Sequence, residues 1–468
     1  MVGHHTGAPI SFRGSMGILP VSADAVSADG DRRSDRRVIE PTTIRNVHVL
    51  GADEFHMRQL RELRRASEYS FHGLYRRDDV KSGRSDVVER LLPGALEALR
   101  SASPSPDAVV GYWDFPVSTM LPVLRRRLGH ITPDFESVLR CEHKYWSRLE
   151  QSRSIPEAIP EFCAVDPFAD EVADRITVSA PYWIKPVRSV LSYLGFRVDD
   201  PTDLEHAIAA IRAGIDRIAI PFDHLLEHAD LPAEIVGIGG RHCIVESLIS
   251  RGRQCTLEGY AFDDDITVYG AVDSIRDGLH GSSFSRYQYP SDLPAAILDR
   301  MVEITRRFLF HIGFTNSPFN AEFFWDDRMD QIWLLEINAR ISKSHAPLLR
   351  AVDGEYNYQV MVDIALCESP DPPHREGQHR LAAKFMWRCE HDAVVRRAPD
   401  ASQVAEASSK VLDVELHVQE GSRLSELEYQ ESYSYELASI FVAGNDEREL
   451  LEQYDECRAA LDLRLDPV

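Results

Sequence analysis

Two glutamates lie on one face of a predicted β-hairpin. The stretch 319–340 reads FNAEFFWDDRMDQIWLLEINAR, in which two apolar runs flank the polar residues 326–331. This arrangement predicts two antiparallel strands whose side chains alternate between a core face and an outer face. With the turn centred in the polar segment, Glu322 lies directly opposite Glu336, and Asn338 follows two residues further along the same face. The residues expected in the core are the odd-numbered ones: Phe319, Ala321, Phe323, Trp325, Trp333, Leu335 and Ile337.

The chemistry of this carboxylate pair, Glu322 and Glu336, depends on what compensates its charge. Like charges directly opposite each other destabilise a sheet, and partial burial increases the cost. A divalent cation compensates well, because two carboxylates and the amide carbonyl of Asn338 are all-oxygen ligands that suit Mg²⁺. Arg340, just past the second strand, adds a positive charge for the same anionic ligand. The alternative is a half-exposed hairpin whose acidic side chains point to water.

The composition limits the class of protein. Of 468 residues, 44% are hydrophobic and 27% are charged, which is typical of a globular chain, and the length corresponds to about three domains. The 75 acidic residues exceed the 52 lysines and arginines, so the net charge is −23. A surface this acidic repels phosphate backbones, and nucleic acid is therefore not expected as a partner. Nucleotides are still allowed, because a small basic pocket can bind them.

The spacing of the cysteines and the hydropathy of the chain indicate the cellular compartment. The seven cysteines are widely spaced and include no CxxC pair, a pattern that favours a reducing cytoplasm over a disulfide framework or a structural zinc site. No apolar run approaches the roughly 20 residues that a membrane helix needs. We therefore expect a cytoplasmic protein without a membrane partner.

The order of predicted elements indicates an α/β chain. Residues 1–40 show no sustained apolar period and are expected to form a disordered leader. Strands at 47–51 and 108–112, with a helix between them, predict a parallel α/β layer. Apolar residues at helical spacing predict an amphipathic helix over 295–313, and the Pro-rich stretch 369–373 marks a boundary.

The hairpin motifs FNAE (319–322) and LEINAR (335–340) resemble those of the ATP-grasp superfamily, in particular its carboxylate–amine ligase branch. The similarity covers most of the chain from about residue 45 onward. In that family two acids and an asparagine hold Mg²⁺ on the phosphates of ATP, and an arginine contacts the transferred phosphate. The resemblance implies metal-ligand roles for Glu322, Glu336 and Asn338, and a catalytic role for Arg340.

Other segments resemble the nucleotide contacts of the same family. The segments CEHKYW (141–146) and YWIKP (182–186) each contain a lysine, Lys144 and Lys185, at the positions where the family's lysines reach the ATP phosphates. Two flexible point charges can neutralise a polyphosphate from opposite lobes. The segment 244–249 resembles the hinge that reads the adenine edge. The loop after the second lysine is poor in glycine, unlike the usual family loop. The implied ATP contacts are Lys144, Lys185, Ser189, Ser192, Glu246, Leu248 and Gln254, of which Lys185 is also expected to be catalytic.

The resemblance also implies an architecture. We expect an α/β fold of the ATP-grasp type, with an N-terminal parallel α/β domain, a two-lobed nucleotide-binding domain and a lid-like C-terminal domain. We expect the N-terminal domain at 41–135 and the nucleotide-binding domain at 136–372, with its smaller lobe at about 175–250. The lid-like domain is expected at 373–468.

The activity implied by the resemblance is that of an ATP-dependent ligase, which joins a carboxylate to an amine through an acyl phosphate and releases ADP and phosphate. ATP and Mg²⁺, with Mn²⁺ as an alternative, are the implied cofactors. The implied partners are a small-molecule acid and an amine, often an amino acid, and a homodimer is left open. The expected substrate contacts are Arg276, Arg286, Ser342 and His345. Two alternatives remain, namely a non-catalytic ATP-binding protein and a biotin-carboxylase-like enzyme that uses bicarbonate.

Overall fold

The computed structural model describes residues 44–190, 193–249, 251–277, 283–427, 430 and 434–468. The expected leader at 1–40 and the candidate Ser192 lie outside the described residues. The β-strands are β1 (Arg45–Ala52), β2 (Tyr69–Arg76), β3 (Ala108–Val110), β4 (Phe162–Val165), β5 (Tyr182–Pro186), β6 (Phe196–Val198), β7 (Cys243–Ser247), β8 (Arg253–Phe262), β9 (Asp265–Asp277), β10 (Ser283–Tyr289), β11 (Ser317–Asp326), β12 (Gln331–Asn338), β13 (Leu381–Cys389), β14 (Ala393–Arg397), β15 (Asp413–Leu416), β16 (Tyr435–Gly444) and β17 (Arg464–Pro467).

The α-helices are α1 (Glu54–Leu60), α2 (Arg77–Val80), α3 (Val87–Ser101), α4 (Val117–Leu128), α5 (Phe135–Glu142), α6 (Lys144–Ser154), α7 (Pro201–Gly214), α8 (Asp216–Leu226), α9 (Ala295–His311), α10 (Ala346–Asp353), α11 (Tyr358–Ala365), α12 (Ala401–Ser408) and α13 (Glu447–Ala460). Within the described ranges, none of these helices combines the length and the apolarity required to cross a bilayer.

The first sheet is parallel, as the sequence predicted. Strand β1 lies between β2 and β3 and pairs with both in the parallel direction. Val47, Val49 and Leu50 of β1 are fully buried, in one core with apolar residues of α3 and α4. Parallel strands need helices on their faces, so this burial is what the alternation of strands and helices requires.

The largest sheet has eight antiparallel strands in the order β12-β11-β8-β9-β10-β13-β16-β15. The predicted hairpin forms one edge of this sheet, and strands from the C-terminal part form the other. Helix α9 buries Met301 and Phe308 in the same core as Phe319 of β11. The sheet runs through the expected boundary at 372/373, and the domain boundaries stay predictions.

A smaller antiparallel sheet, in the order β4-β7-β5-β6, carries α7 and α8. Helix α7 begins after Asp200, whose carboxylate accepts the backbone N–H groups of Thr202 and Asp203, and Pro201 occupies the first helical position. This combination is a strong N-terminal signal, because it satisfies donors that the helix itself leaves unpaired. The strands β14 and β17 form a separate antiparallel pair.

A β-bulge interrupts the hairpin directly beside the carboxylate pair. Glu322 pairs with Glu336, which confirms the predicted register at this point. The next residue, Phe323, pairs with Leu334, so Leu335 is the additional residue of the bulged strand. A bulge re-aims the side chains that follow it.

The bulge reverses the two faces of β12 on the turn side. Ile332 and Leu334 enter the core and are 2% and 0% exposed. Trp333 and Leu335 are only partly buried, and Leu335 lines the cavity described below. The prediction that these two residues face the core was therefore wrong, because strict alternation cannot anticipate one additional residue.

This register predicts different costs for two adjacent leucines. Leu334→Ala should lower the free energy of unfolding by about 2–5 kcal/mol, because it leaves a cavity in the core. Leu335→Ala, the matched control, should cost less than about 1 kcal/mol. Denaturant unfolding of the two variants measures the difference. Equal losses, or a larger loss for the control, would contradict the bulge.

Candidate active site

A cavity of about 580 Å³ receives side chains from every strand of the eight-stranded sheet. Residues outside this sheet also line the cavity, including Asp114 after β3 and Ser189 after β5. Following the order of the strands, representative lining residues are Glu336, Glu322, Thr256, Arg276, Tyr287, Lys384, Glu436 and Glu415.

The cavity is positively charged although the chain is acidic. Among the described residues, nine lysines and arginines line it against six aspartates and glutamates, whereas the whole chain carries a net charge of −23. An excess of positive charge in a concave site attracts anionic ligands. The basic lining residues are Arg77, Lys81, Lys144, Lys185, Arg276, Arg340, Lys343, Lys384 and Arg388.

The carboxylate pair lies in this cavity on adjacent strands. Both glutamates line it, and they occupy directly opposite positions of the ladder. Asn338 pairs with Asn320, and its side-chain amide donates to the Oδ1 atom of Asn320 at 3.0 Å and to the Oε1 atom of Glu322 at 3.4 Å. Asn320 also lines the cavity, and sequence reasoning had overlooked it.

The pKa values of the pair move in opposite directions. Burial and the negative charge of Glu336 raise the pKa of Glu322 to about 7. Burial acts on Glu336 too, but the positive charges of Lys144 and Lys185 outweigh it and lower the pKa of Glu336 to about 2. At pH 7 Glu336 is thus fully charged, whereas Glu322 is about half protonated, and its ionisation carries a cost that a cation would relieve.

The two glutamates and the neighbouring amides suit a magnesium ion whose remaining ligands are water and phosphate oxygens. Among the described residues, no group of three or more His, Cys, Asp or Glu could hold a metal. Two carboxylates with neighbouring amides are hard oxygen donors, and Mg²⁺ is usually bound by one or two carboxylates together with water and substrate phosphates. The pair suits a cation shared with an anionic ligand rather than a closed protein site.

Two lysines approach the pair from different elements. Lys144, the first residue of α6, places its Nζ atom 2.9 Å from the Oε2 atom of Glu336. Lys185 of β5 places its Nζ atom 2.6 Å from Glu246, whose other oxygen accepts from the Nε atom of Arg148 at 2.6 Å. The backbone N–H of Lys144 donates to the carbonyl of Val187, so the start of α6 is joined to the chain that carries Lys185.

The segment expected to bind adenine is placed beside these lysines. Despite burial, the charges of Arg148 and Lys185 lower the pKa of Glu246 to about 2, so this carboxylate is a permanent anion that holds both. Glu246 lines the cavity together with Ser247 and Ile249, whereas the expected Leu248 is not among the lining residues.

Arg340 is held through both terminal nitrogens, and its Nη1 atom donates to the backbone carbonyl of Ile341 at 3.1 Å. Its Nη2 atom donates to Asp114 at 2.9 Å, and Arg188 donates to the other oxygen of the same carboxylate at 2.6 Å. Although burial opposes it, these cations hold the pKa of Asp114 well below its usual value. The buried Nε atom of Arg340 has no hydrogen-bond partner in the described part of the chain. Buried donors are normally satisfied, so this one points to a ligand.

Gln254 joins two other candidates. Its amide nitrogen donates to Glu322 at 3.1 Å, and its amide oxygen accepts from the Nε atom of Arg276 at 2.5 Å. The structure therefore places Gln254 next to the carboxylate pair, where it supports Glu322 and orients Arg276. Gln254 is not itself among the residues that line the cavity.

The expected substrate residues separate into two groups. Arg276, Ser342 and His345 line the cavity, and the Nδ1 atom of His345 lies 2.8 Å from the buried Glu258. Arg286 does not line it, and its Nη2 atom bonds Glu447 at 2.7 Å. A role for Arg286 in substrate binding is not supported by this position.

Sequence reasoning missed several lining residues. Asp114, Lys343, Lys384, Arg388 and Glu415 come from loops and strands far apart in the chain. No local motif marks them, because the topology alone brings them together. Lys343 lies between the expected substrate contacts Ser342 and His345, but nothing in the sequence distinguished this lysine from a solvated one.

Comparisons with known proteins bear on the fold. The sequence matches no protein-family model and no curated protein. Among solved structures, the L-amino acid ligase from Bacillus licheniformis is similar with a TM-score of 0.68 and 16% identity, over 90% of this chain and 99% of that one. The biotin carboxylase from Campylobacter jejuni is similar with a TM-score of 0.61 and 13% identity, over 91% of this chain and 93% of that one.

A third similar structure is the carboxyaminoimidazole ribonucleotide synthase from Aspergillus clavatus in complex with ATP, with a TM-score of 0.60 and 14% identity over 90% of this chain and 98% of that one. All three are ATP-grasp structures. The chain thus has the ATP-grasp fold, which confirms the fold class expected from the sequence.

The opposite pKa shifts predict opposite effects on stability. Because the pKa of Glu322 is raised to about 7 in the folded protein, its ionisation costs stability as the pH rises from about 4.5 to 7. Glu322→Gln should therefore raise the unfolding midpoint by about 1–3 °C at pH 8 in metal-free buffer, and by nothing below pH 4.5. Thermal unfolding with EDTA, without nucleotide, measures this.

The matched control is Glu336→Gln. The pKa of Glu336 is lowered to about 2, so its charge contributes stability above pH 4.5 that is lost as the pH falls towards 2. This variant should unfold at a lower temperature than the unmodified protein at pH 8. If both variants shift the midpoint in the same direction, the described asymmetry of the pair is wrong.

Proposed function

We propose that the protein is an ATP-dependent ligase that joins a carboxylate to an amine through an acyl phosphate, with release of ADP and phosphate. The observation that supports this most strongly is the convergence of the carboxylate pair, the two lysines at 144 and 185, and Arg340 in one cavity. The ATP-grasp fold supports it independently, since the similar structures are named as ligases, a carboxylase and a synthase.

Each group of residues has a distinct task in this proposal. Glu322 and Glu336, with the amide of Asn338 or Asn320, would hold Mg²⁺, which when bound offsets negative charge on the phosphates. Lys144 and Lys185 would bind phosphate oxygens from two sides. Both are held in place by carboxylates, at 2.9 and 2.6 Å, so their charges are positioned before the ligand arrives.

Arg340 would contact the transferred phosphate or the acyl phosphate. Asp114 fixes one edge of the guanidinium, and the side chain lines the cavity, where its charge can act on an oxyanion. Catalysis in this arrangement comes from positioning and electrostatics rather than from a protein nucleophile. The amine then attacks the acyl carbon, the C–N bond forms, and inorganic phosphate leaves.

The substrates are small molecules in this proposal, and amino acids are the first candidates because one similar structure is an L-amino acid ligase. All seven cysteines are free thiols, which supports a reducing compartment such as the cytoplasm. Mg²⁺ is proposed as the physiological cation, and Mn²⁺ has the same preference for oxygen donors.

A panel of amino acids and small carboxylates, each assayed with Mg²⁺ and ATP, tests the proposal. ADP and phosphate in equal amounts with an amide product would support it. AMP with pyrophosphate would contradict acyl-phosphate chemistry. Dependence on bicarbonate and a biotinylated carrier would favour the carboxylase alternative, and ATP binding without turnover across the panel would favour a binding protein.

A replacement of Arg340 tests the role in catalysis that is proposed for this residue. Arg340→Ala should lower kcat about 10²–10³-fold, because a preorganised charge next to the reacting phosphate is lost. Arg300→Ala is the matched control: Arg300 is exposed, lies on α9 and pairs with Asp330 at the hairpin turn. Steady-state kinetics with the best substrate pair should show the control within about twofold of the unmodified protein. A normal kcat in Arg340→Ala would refute the assigned role.

A further inference from the structure

Lys343 has an unusual environment for a lysine inside a cavity. It lines the cavity, and its ammonium makes no hydrogen bond or ion pair with any residue that the structure describes. Its Nζ atom lies 4.4 Å from the centroid of the Trp113 ring. An aromatic face attracts an ammonium group without using its three N–H donors, so these donors stay available to a ligand.

A second lysine lies next to it. The Nζ atom of Lys384 is 3.4 Å from the hydroxyl of Ser344 and 3.6 Å from a carboxylate oxygen of Glu436, and both distances are long for a charged hydrogen bond. Burial lowers the pKa of Lys343; the negative charge of Glu415 opposes this effect, and the positive charge of Lys384 makes a smaller contribution in the same direction as burial. Two ammonium groups that repel each other in a buried place indicate a missing anion.

The nearby carboxylates compensate these charges only from a distance or in shared contacts, and Glu415 is the carboxylate that acts most strongly on Lys343. Glu436 is shared among Lys384, Arg388 and His417, at 3.4–3.6 Å, and it accepts the hydroxyl of Ser439 at 2.6 Å. Glu415 lines the same cavity, but within the described ranges it forms no ion pair with either lysine. No described residue accepts the N–H donors of Lys343, so they remain available to a ligand in the cavity.

The position of this lysine relates it to the proposed reaction. Lys343 follows Arg340 by three residues, and Trp113 directly precedes Asp114, which binds Arg340. The space in front of Lys343 therefore adjoins the place where the acyl phosphate would form. It is distinct from the carboxylate pair and from Lys144 and Lys185, which the proposed function assigns to ATP and Mg²⁺.

We propose that Lys343 and Lys384 form a second anion subsite, which binds a carboxylate or phosphate group of a substrate at a distance from the bond that is made. The identification of the bound molecule as a substrate rests on the proposed function, whereas the binding of an anion does not. The proposed acid or amine then carries two functional groups, one that reacts and one that is held by Lys343, between β12 and α10, and by Lys384 of β13.

A titration without turnover tests the subsite. The nucleotide site is first filled with Mg²⁺ and β,γ-methylene-ATP, so that added anions cannot bind the phosphate-binding lysines. Dicarboxylates from malonate to adipate, the monocarboxylates of equal length, and inorganic phosphate are then titrated by calorimetry. At least one dicarboxylate, or phosphate, should bind at least tenfold more weakly to Lys343→Met than to the unmodified protein. The monocarboxylates should bind both equally.

Three further variants make the result specific. Lys384→Met should weaken the same probe, and Lys343→Arg should retain its affinity within about threefold, because the charge is kept. Lys410→Met is the matched control, since Lys410 is exposed and pairs with Glu406 on α12. The dicarboxylate and phosphate arms distinguish the two sources of the anion.

The subsite is rejected if no probe binds the unmodified protein, or if every probe binds Lys343→Met with unchanged affinity. Affinity for the nucleotide should be the same in all variants, which shows that each is folded. Because the titration requires no ADP release, a failure of the proposed ligase reaction and a failure of the anion subsite are seen in separate measurements.

Discussion

The repulsion between Glu322 and Glu336 is the constraint around which the site is organised. Their ladder positions are fixed by burial of the opposite face of the hairpin, so the two carboxylates cannot move apart without exposing the core. The protein compensates unequally, with Lys144 in direct contact with one acid and the neutral amide of Gln254 on the other. Glu336 is therefore paired with a cation of the protein, whereas the ionisation of Glu322 is costly, so binding of a metal ion at the proposed site would be coupled to stability.

One sheet explains how residues so far apart in sequence share a cavity. Its eight antiparallel strands place the carboxylate pair at one edge and the lid-side residues Lys384 and Glu436 towards the other. The bulge at Leu335 contributes locally, because the carbonyl groups of residues 334 and 335 both accept from Arg148. Arg148 in turn binds Glu246, the partner of Lys185. The bulge thus connects the strand that carries Glu336 to the smaller sheet that carries Lys185.

The sequence allowed the hairpin, its register at the glutamates and the fold class to be predicted, because alternating hydrophobicity and a short turn act locally. It did not allow the bulge to be predicted, since the residue types of β12 do not show where an additional residue interrupts the pairing with β11. Asp114 and Lys343 could not be identified either. Their significance depends on contacts with Arg340 and Trp113 that only the packing of separate elements creates.

In the glycine-poor segment after Lys185, residues 187–190 are anchored by their surroundings. Val187 and Val190 belong to the core of the N-terminal sheet. Arg188 is 3% exposed and is bound by Asp114 and Glu142. A glycine-rich loop would have to lose conformational entropy when it covers a ligand, whereas apolar anchors and a buried arginine remove that freedom during folding. Since the same Asp114 also holds Arg340, Arg188 of this segment and the guanidinium of Arg340 are positioned together. Preorganisation of both by a single carboxylate replaces the ordering that a mobile loop would require.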